Sequence, residues 1–361
     1  MDINMEIGGL LSDMAAIQSS VHSRFGYKRA AKTIYRLEQP LTKIVSGAKF
    51  PKIPNIGPSS ERIMREYLDT GSSPTVANAI ARSGQQDRIA RLHRFRKGFL
   101  SYAGVEAAIR TRRPNAVNVS QYRGDFQMHS EWSDGSESIE AIVQDCLELG
   151  HACACLTDHS YGLPIARGVS MQDLRKQHVE IDRVNAKYRG RFRMFKGIEA
   201  NILADGHLDM SAEELRMMEL VVASPHSLLR RDSDQTMRMM GAVSQRGVNI
   251  LGHPLGRMYD SRPGVAADWS RVFTVAAKRQ VAIEIDGSWH RQDIPFELAR
   301  AALAAGCIFA VDSDGHSASE RRHYSRVAIA HARLAGIPPE RVINCWSDEM
   351  ILDWAKRAWN N

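Results

Sequence analysis

The spacing of the hydrophobic residues changes near position 121. Up to residue 75, apolar side chains recur every three or four positions, as at Ile7, Leu11 and Met14, which predicts short amphipathic helices. From residue 121 onward, short apolar runs alternate with helical patterns. We therefore predict an all-α domain over residues 1–75 and an α/β domain over residues 121–361.

Several apolar runs of the α/β domain have the length and residue types of buried strands. They cover residues 124–129, 152–157, 192–198, 220–224, 248–252, 281–285 and 308–312. Helical patterns lie between them, and the connections are short. Strands that alternate with helices form a parallel sheet, and this number of units predicts a distorted, TIM-like (β/α)7 barrel.

The segment from Phe50 to Ile63 resembles a helix-hairpin-helix motif. Gly57 provides a tight turn, and Pro58 suits the first position of the helix that follows. The unpaired N–H groups at such a helix start can bind a DNA phosphate whatever the base. A Gly-Pro start between two ordinary helices looks similar, so both interpretations stay open. The arginine-rich residues 76–120 are expected to form a basic helical linker.

The net charge of +7 is unevenly distributed. Residues 1–121 carry a net charge of +10, and residues 122–361 carry −3. The basic part suggests DNA as a partner of residues 1–113, with an ordinary solvated basic face as the alternative. No apolar run approaches the ~20 residues that span a bilayer, and the N-terminus lacks a signal-peptide pattern. We expect a cytoplasmic protein with no membrane partner.

Polar side chains with metal-binding or acid–base chemistry stand where the predicted strands end. These residues are Gln127, His129, Asp134, Asp158, His159, Glu199, His226, His253, Asp312, Asp314 and His316. Because the carboxyl ends of parallel strands meet at one mouth of a barrel, we expect these side chains to converge. So many imidazoles and carboxylates together need cations to offset their repulsion and desolvation. Any one histidine alone would more often be structural, but the set predicts a metal site.

The order of these residues resembles that of the PHP superfamily of phosphoesterases, named for polymerase and histidinol phosphatase. The resemblance covers about residues 121–355 and is greatest to the C-terminal PHP domain of bacterial family-X DNA polymerases. That likeness rests on Leu251–Arg257, Arg262–Gly264 and Leu208–Met210. Residues 121–361 are therefore identified as a PHP barrel.

Residues 5–75 resemble the small lyase domain of family-X polymerases, through Tyr27–Ala31 and Tyr67–Gly71. Asn55 replaces the first glycine of the hairpin. Ile63 stands where the eukaryotic relatives have the lysine that forms a Schiff base, so we expect no lyase chemistry. The stretch between the two recognised parts is too short for a polymerase palm, and we do not expect a polymerase.

The resemblance implies a centre of two or three divalent metal ions, either Mn²⁺ or Zn²⁺. The implied ligands are Gln127, His129, Asp134, His159, Glu199, His226, His253, Asp314 and His316. Glu199 matches the carboxylate that bridges two metals. Gln127 stands where most members have a histidine, and its amide oxygen is a weaker ligand than imidazole.

The resemblance also implies roles around the metals. Glu199 and Asp134 are expected to serve catalysis, and Asp158 to orient a ligand histidine. Arg257 and Arg262 follow the His-Pro loop, where a guanidinium is expected to clamp the substrate phosphate, with ordinary surface arginine as the alternative. His290 and Arg291 are weaker candidates on the loop after residues 281–285.

The favoured hypothesis is a hydrolase that processes DNA 3′ ends, as a phosphatase, an exonuclease or an abasic-site repair phosphodiesterase. It draws on the DNA-binding-like domain and the basic stretch. The alternative is a small-molecule phosphatase of the histidinol-phosphatase type. A third hypothesis is a DNA-binding scaffold with a degraded site, for which Gln127 is the only support.

Overall fold

The computed structural model describes residues 2–45 and 50–360. The chain divides into two compact units. The first comprises Met1–Thr111 with Tyr259–Ser261, and the second comprises Arg112–Met258 with Arg262–Asn361. None of the helices formed by the described residues combines the length and the apolar character that crossing a membrane requires.

The first unit is helical, as predicted. Its helices are α1 (Ile3–Ile17), α2 (Val21–Tyr35), α3 (Leu41–Ile44), α4 (Pro58–Thr70), α5 (Pro74–Ser83), α6 (Gln86–Arg96) and α7 (Tyr102–Arg110). Helix α1 is central because it packs against each of the other six. Ile7 and Leu11 on its apolar face are fully buried. The buried amide of Asn4 donates to Gln39 O at 3.0 Å and accepts from Leu41 N at 2.9 Å, which fixes the entry to α3.

Helices α5, α6 and α7 pack on α1 within this unit, although residues 76–120 were expected to be a linker. Apolar side chains explain the difference, since Ile89, Val105 and Ala108 are buried at helical spacing among the arginines. The unit extends to Thr111. The sequence pattern predicts a third helix over about residues 40–47 that stops at Gly47, a residue outside the described part of the chain.

The second unit is an α/β domain with one parallel sheet, as predicted. Its strands are β1 (Cys153–Leu156), β2 (Arg193–Asn201), β3 (Leu220–Ser224), β4 (Ile250–Leu251), β5 (Ala282–Asp286) and β6 (Phe309–Asp312), and they pair in sequence order. Its helices are α8 (Ile139–Glu148), α9 (Met171–Lys187), α10 (Ala212–Leu215), α11 (Thr236–Ser244), α12 (Trp269–Arg279), α13 (Phe296–Ala304), α14 (Ala318–Ala335) and α15 (Asp348–Arg357). All six strands are buried almost throughout. This is expected of a curled parallel sheet, because helices cover its outer face and its inner face encloses the barrel interior.

Residues 124–129, predicted as the first strand, lie between the two edges of the curled sheet. Thr157 N donates to Met128 O at 2.9 Å on the β1 side, and His129 N donates to Gly315 O at 3.1 Å on the β6 side. The regular ladder is interrupted because the carboxylate of Asp312, rather than a backbone carbonyl, accepts from Phe126 N at 2.7 Å. Six strands and this bridging segment therefore account for the predicted seven-membered barrel.

Candidate metal centre

The carboxyl ends of the strands carry the predicted ligands to one mouth of the barrel. Glu199 lies near the end of β2, and His159 follows β1 by three residues. His226 and His253 follow β3 and β4 by two residues each, and Asp314 follows β6 by two. Because all strands are parallel, these positions share one edge of the sheet, as the strand-end pattern predicted.

The carboxylate of Glu199 lies at the centre of the ligands. Its Oε2 is 2.7 Å from His159 Nδ1, and its Oε1 is 2.9 Å from His253 Nε2 and 3.4 Å from His226 Nε2. The side chain is fully buried. Burial alone would raise the pKa of Glu199, but the charges and hydrogen bonds of His159 and His226 hold that pKa well below its usual range.

A second group of ligands surrounds Asp134, on the loop after residue 129. Asp134 Oδ1 is 3.3 Å from His316 Nε2, 3.6 Å from His159 Nε2 and 4.0 Å from His129 Nδ1. The ring of His129 stacks between those of His159 and His316, with centroid separations of 4.4 and 4.3 Å. His159 thus faces Asp134 with one ring nitrogen and Glu199 with the other.

Asp314 and Gln127 complete the predicted set. Asp314 Oδ1 is 3.2 Å from His129 Nε2, which itself is 3.7 Å from Glu199 Oε2. Gln127 is fully buried two residues before His129, and among residues 2–45 and 50–360 neither of its amide atoms has a hydrogen-bond partner. The structure therefore brings together all the predicted histidines and carboxylates. Gln127 is buried two residues before one of them, His129.

The donor set fits divalent cations. Two groups have ligand atoms that all lie within 4.8 Å of one another: His129, Asp134, His159 and His316 form one, and His159, Glu199 and His226 form the other. Burial lowers the pKa of His253 to about 3 and places the pKa of His129 well below its usual range, so both rings are neutral and can donate to a metal. His129 Nδ1 is buried without a hydrogen-bond partner in the described residues, as expected of a nitrogen that serves as a metal ligand.

Neighbouring groups fix the orientation of the His226 ring. Asn201 Oδ1 lies 2.6 Å from His226 Nδ1, so His226 donates there and keeps Nε2 as the acceptor that faces Glu199. Asp209 accepts from Asn201 N at 2.9 Å and holds the Asn201 amide as well. Asn201 was not among the predicted site residues, although its position two residues after Glu199 on β2 places it on the same face.

Asp158 has a different role from the one predicted. Its carboxylate accepts from Ser130 N at 2.8 Å, from Ser130 Oγ at 2.6 Å and from Gln177 Nε2 at 2.6 Å. Ser133 Oγ also donates to it. These bonds hold the loop that carries Asp134, whereas the prediction placed Asp158 on a ligand histidine. Neighbouring positions on β1 and its loop point to opposite sides, which explains why Asp158 and His159 face different groups.

The structure contradicts the assignment of Arg257 as a phosphate clamp. Only 5% of Arg257 is exposed, and its guanidinium donates to Arg291 O at 2.9 Å and to Gln292 O at 2.6 Å. Burial lowers the pKa of Arg257 to about 10. Arg262 donates to Gly256 O at 2.6 Å. The arginine that reaches the ligands is Arg291, whose Nη1 contacts Asp314 Oδ2.

Sequence comparisons bear on the same part of the chain. Residues 125–286 match the family model of the PHP domain. The chain is 32% identical over 242 residues to DNA polymerase/3′-5′ exonuclease PolX of Bacillus subtilis. This alignment covers 67% of this chain and 42% of PolX. It is 27% identical over 235 residues to the Escherichia coli K12 protein named Probable phosphatase YcdX, which covers 62% of this chain and 90% of YcdX. The chain thus spans less than half of the length of PolX.

Among solved structures, the chain is similar to histidinol phosphate phosphatase (HisK) from Lactococcus lactis, in complex with zinc, L-histidinol and phosphate. The TM-score is 0.40 and the identity 14%, over 66% of this chain and 93% of HisK.

The matched region carries most of the ligands described above. Residues 125–286 include Gln127, His129, Asp134, His159, Glu199, His226 and His253. The predicted resemblance to the PHP superfamily is confirmed. The prediction of a metal-dependent hydrolase is also confirmed, at the level of the family. The chain therefore contains a PHP domain, over residues 125–286.

Proposed function

We propose that the chain is a metal-dependent phosphoesterase that hydrolyses phosphate esters at DNA 3′ ends. The observation that carries the proposal is the pair of ligand groups that meet at His159 and Glu199. Their imidazole and carboxylate donors suit Mn²⁺ or Zn²⁺. Divalent ions bound there would lower the pKa of a bound water and neutralise the phosphoryl oxygens of the substrate.

The protein residues hold this chemistry in place. His129, Asp134 and His316 would bind one ion, and Glu199 and His226, with His253 beside them, would bind another, while His159 between the two groups would be a ligand of one of them. Asp134 is the most exposed of the carboxylates, with 32% of its side chain accessible, so the substrate is expected to enter past it. Asp158 fixes the Asp134 loop, and Asn201 fixes the His226 ring.

The DNA part of the proposal is supported by the helical unit. Residues 1–121 carry a net charge of +10, which favours a polyanion. Helix α4 begins at Pro58 after Gly57, and no side chain of the described residues caps its first turn. The free amides of that turn are suited to a DNA phosphate, as expected for the helix-hairpin-helix interpretation. The identity with PolX, whose name includes a 3′-5′ exonuclease, gives further support. A cytoplasmic location forms part of the proposal.

A second candidate is a small-molecule phosphatase, and the similarity to YcdX favours it. The alignment covers 90% of YcdX but only 62% of this chain. Almost the whole of YcdX therefore aligns with part of this chain. If YcdX is the phosphatase that its name states, this candidate needs only the aligned part of the chain. This candidate requires no contribution from the basic helical unit.

One assay separates the two candidates. The full chain is incubated with MnCl₂ or ZnCl₂ and with three substrates: DNA carrying a 3′-phosphate, DNA carrying an abasic site, and histidinol phosphate. The proposal predicts faster turnover of a DNA substrate and inhibition as KCl is raised, because binding of a polyanion weakens with salt. Turnover of histidinol phosphate alone, unaffected by salt, would favour the second candidate. Absence of hydrolysis on all three would contradict both.

A further inference from the structure

We infer that the centre binds two divalent ions and that the guanidinium of Arg291 supplies the positive charge at Asp314 in place of a third ion. The inference rests on the metal centre of the proposed function and specifies its composition. In this inference Arg291 belongs to the metal centre as the permanent positive partner of Asp314.

The first support is the contact between Arg291 and two buried carboxylates. Arg291 Nη1 contacts Asp314 Oδ2 and lies 3.6 Å from Asp286 Oδ2. The side chains of Asp314 and Asp286 are 4% and 0% exposed. Carboxylates buried to this degree need a positive partner, and a guanidinium keeps its charge at every working pH. Arg291 therefore already offsets the charge that a cation next to Asp314 would offset.

The second support is the composition of the two ligand groups. In the part of the chain that the structure describes, both groups that can hold an ion leave out Asp314. The predicted ligands outside both groups are Gln127, His253 and Asp314, and Asp314 Oδ1 is 3.2 Å from His129 Nε2. His129 already belongs to the group around Asp134. Gln127 contributes a neutral amide oxygen, which binds a transition-metal ion more weakly than imidazole or carboxylate.

The third support is the anchoring of the Arg291 backbone. The buried guanidinium of Arg257 donates to the carbonyl oxygens of Arg291 and Gln292, at 2.9 and 2.6 Å. Asp293 accepts from Gly256 N at 2.6 Å, and Asp293 N donates to Asp286 O at 2.9 Å. The loop is thus fixed on both sides of Arg291 by buried bonds. Arg291 is held at the centre, unlike an ordinary surface arginine, and Arg257 is the residue that positions it.

Metal content tests the inference directly. The full chain is stripped with a chelator, saturated with MnCl₂, freed of excess metal and analysed by inductively coupled plasma mass spectrometry. We expect about two Mn²⁺ per chain for the wild type. Arg231→Met is a matched control, because Arg231 is an exposed arginine on the loop after β3, and it should leave this value unchanged.

Two further variants identify the reason for the metal content. Gln127→His alone should still hold about two ions, since Arg291 keeps its charge next to Asp314. The double variant Gln127→His/Arg291→Met should gain about one ion, because it adds an imidazole and frees the carboxylate. Circular dichroism confirms that each variant is folded before its metal is counted, and the wild-type value is decisive even where a variant fails to fold.

The outcomes separate this inference from the proposed function. About three ions in the wild type, or no gain in a folded double variant, would overturn the role of Arg291. Hydrolysis of phosphate esters by a wild type with three ions would leave the proposed function intact. About two ions without hydrolysis of any tested ester would support the inference and contradict the function.

Discussion

His159 and Glu199 lie in contact at the mouth of the barrel, with His159 Nδ1 2.7 Å from Glu199 Oε2. The opposite nitrogen of the same ring is 3.6 Å from Asp134. One imidazole therefore joins the two groups that are suited to hold divalent ions. Removal of either partner should affect both ions, and this coupling underlies the first prediction.

The substitution Glu199→Gln should abolish hydrolysis, with a loss of at least about 10³-fold in kcat, since it removes the charge shared by four histidines. Metal content should fall in parallel. Steady-state assays with a 3′-phosphorylated DNA and metal analysis check both results. Glu213→Gln, at an exposed position on α10, is the control and should behave as the wild type. Full activity of Glu199→Gln would refute the site.

The substitution Asn201→Leu should weaken metal binding by about 10- to 100-fold while the fold is retained. The reason is that Asn201 accepts from His226 Nδ1 and so fixes the tautomer that presents Nε2 to the ion. Isothermal titration calorimetry with MnCl₂ measures the affinity. A variant that binds Mn²⁺ as tightly as the wild type would show that the His226 orientation does not depend on this bond.

Stability should fall in acid partly through His331, on α14. Burial lowers the pKa of His331 to about 3, and its Nε2 lies 2.8 Å from Gln292 Oε1. Between pH about 6.5 and 3 the unfolded chain binds a proton that the folded chain excludes, so the free energy of unfolding decreases as pH falls, by at most about 1.4 kcal/mol per pH unit from this group. Thermal melts of the wild type and His331→Gln at pH 7.5 and 5 measure the effect. The variant should lose less stability on acidification, and an equal or larger loss would contradict this account.

The affinity for DNA should depend steeply on salt, with a log–log slope that reflects several phosphate contacts. Lys52→Ala, an exposed lysine in the predicted hairpin, should weaken binding to all sequences alike and make the slope shallower by about one unit. Fluorescence anisotropy with a labelled duplex over a KCl series provides both values. A flat salt response of the wild type would favour the small-molecule candidate.

The strand-end ligands could be predicted from sequence because two simple rules specify them. Alternating strands and helices give a parallel sheet, and parallel strands place their carboxyl ends at one edge. Glu199, His226 and His253 were found in this way, without knowledge of any contact. The same rules explain why residues 124–129 were recognised, although the Asp312 side chain interrupts their ladder.

The arginines could not be assigned from sequence. Arg257 and Arg291 both lie on loops after strands, and spacing does not reveal which guanidinium is buried. The structure shows that Arg257 bonds to backbone carbonyls, whereas Arg291 reaches Asp314. Asp158 was misassigned for a related reason, because its partners Ser130 and Gln177 come from distant segments. Such contacts depend on tertiary packing that no local pattern encodes.

Anomalous diffraction from crystals of the full chain grown with MnCl₂ is the most direct test of the central claim, that the strand-end residues hold divalent ions. The account predicts strong peaks within bonding distance of Glu199 and of Asp134, and none between Asp314 and Arg291. Ordered crystals in saturating Mn²⁺ with no peak at Glu199 would contradict it.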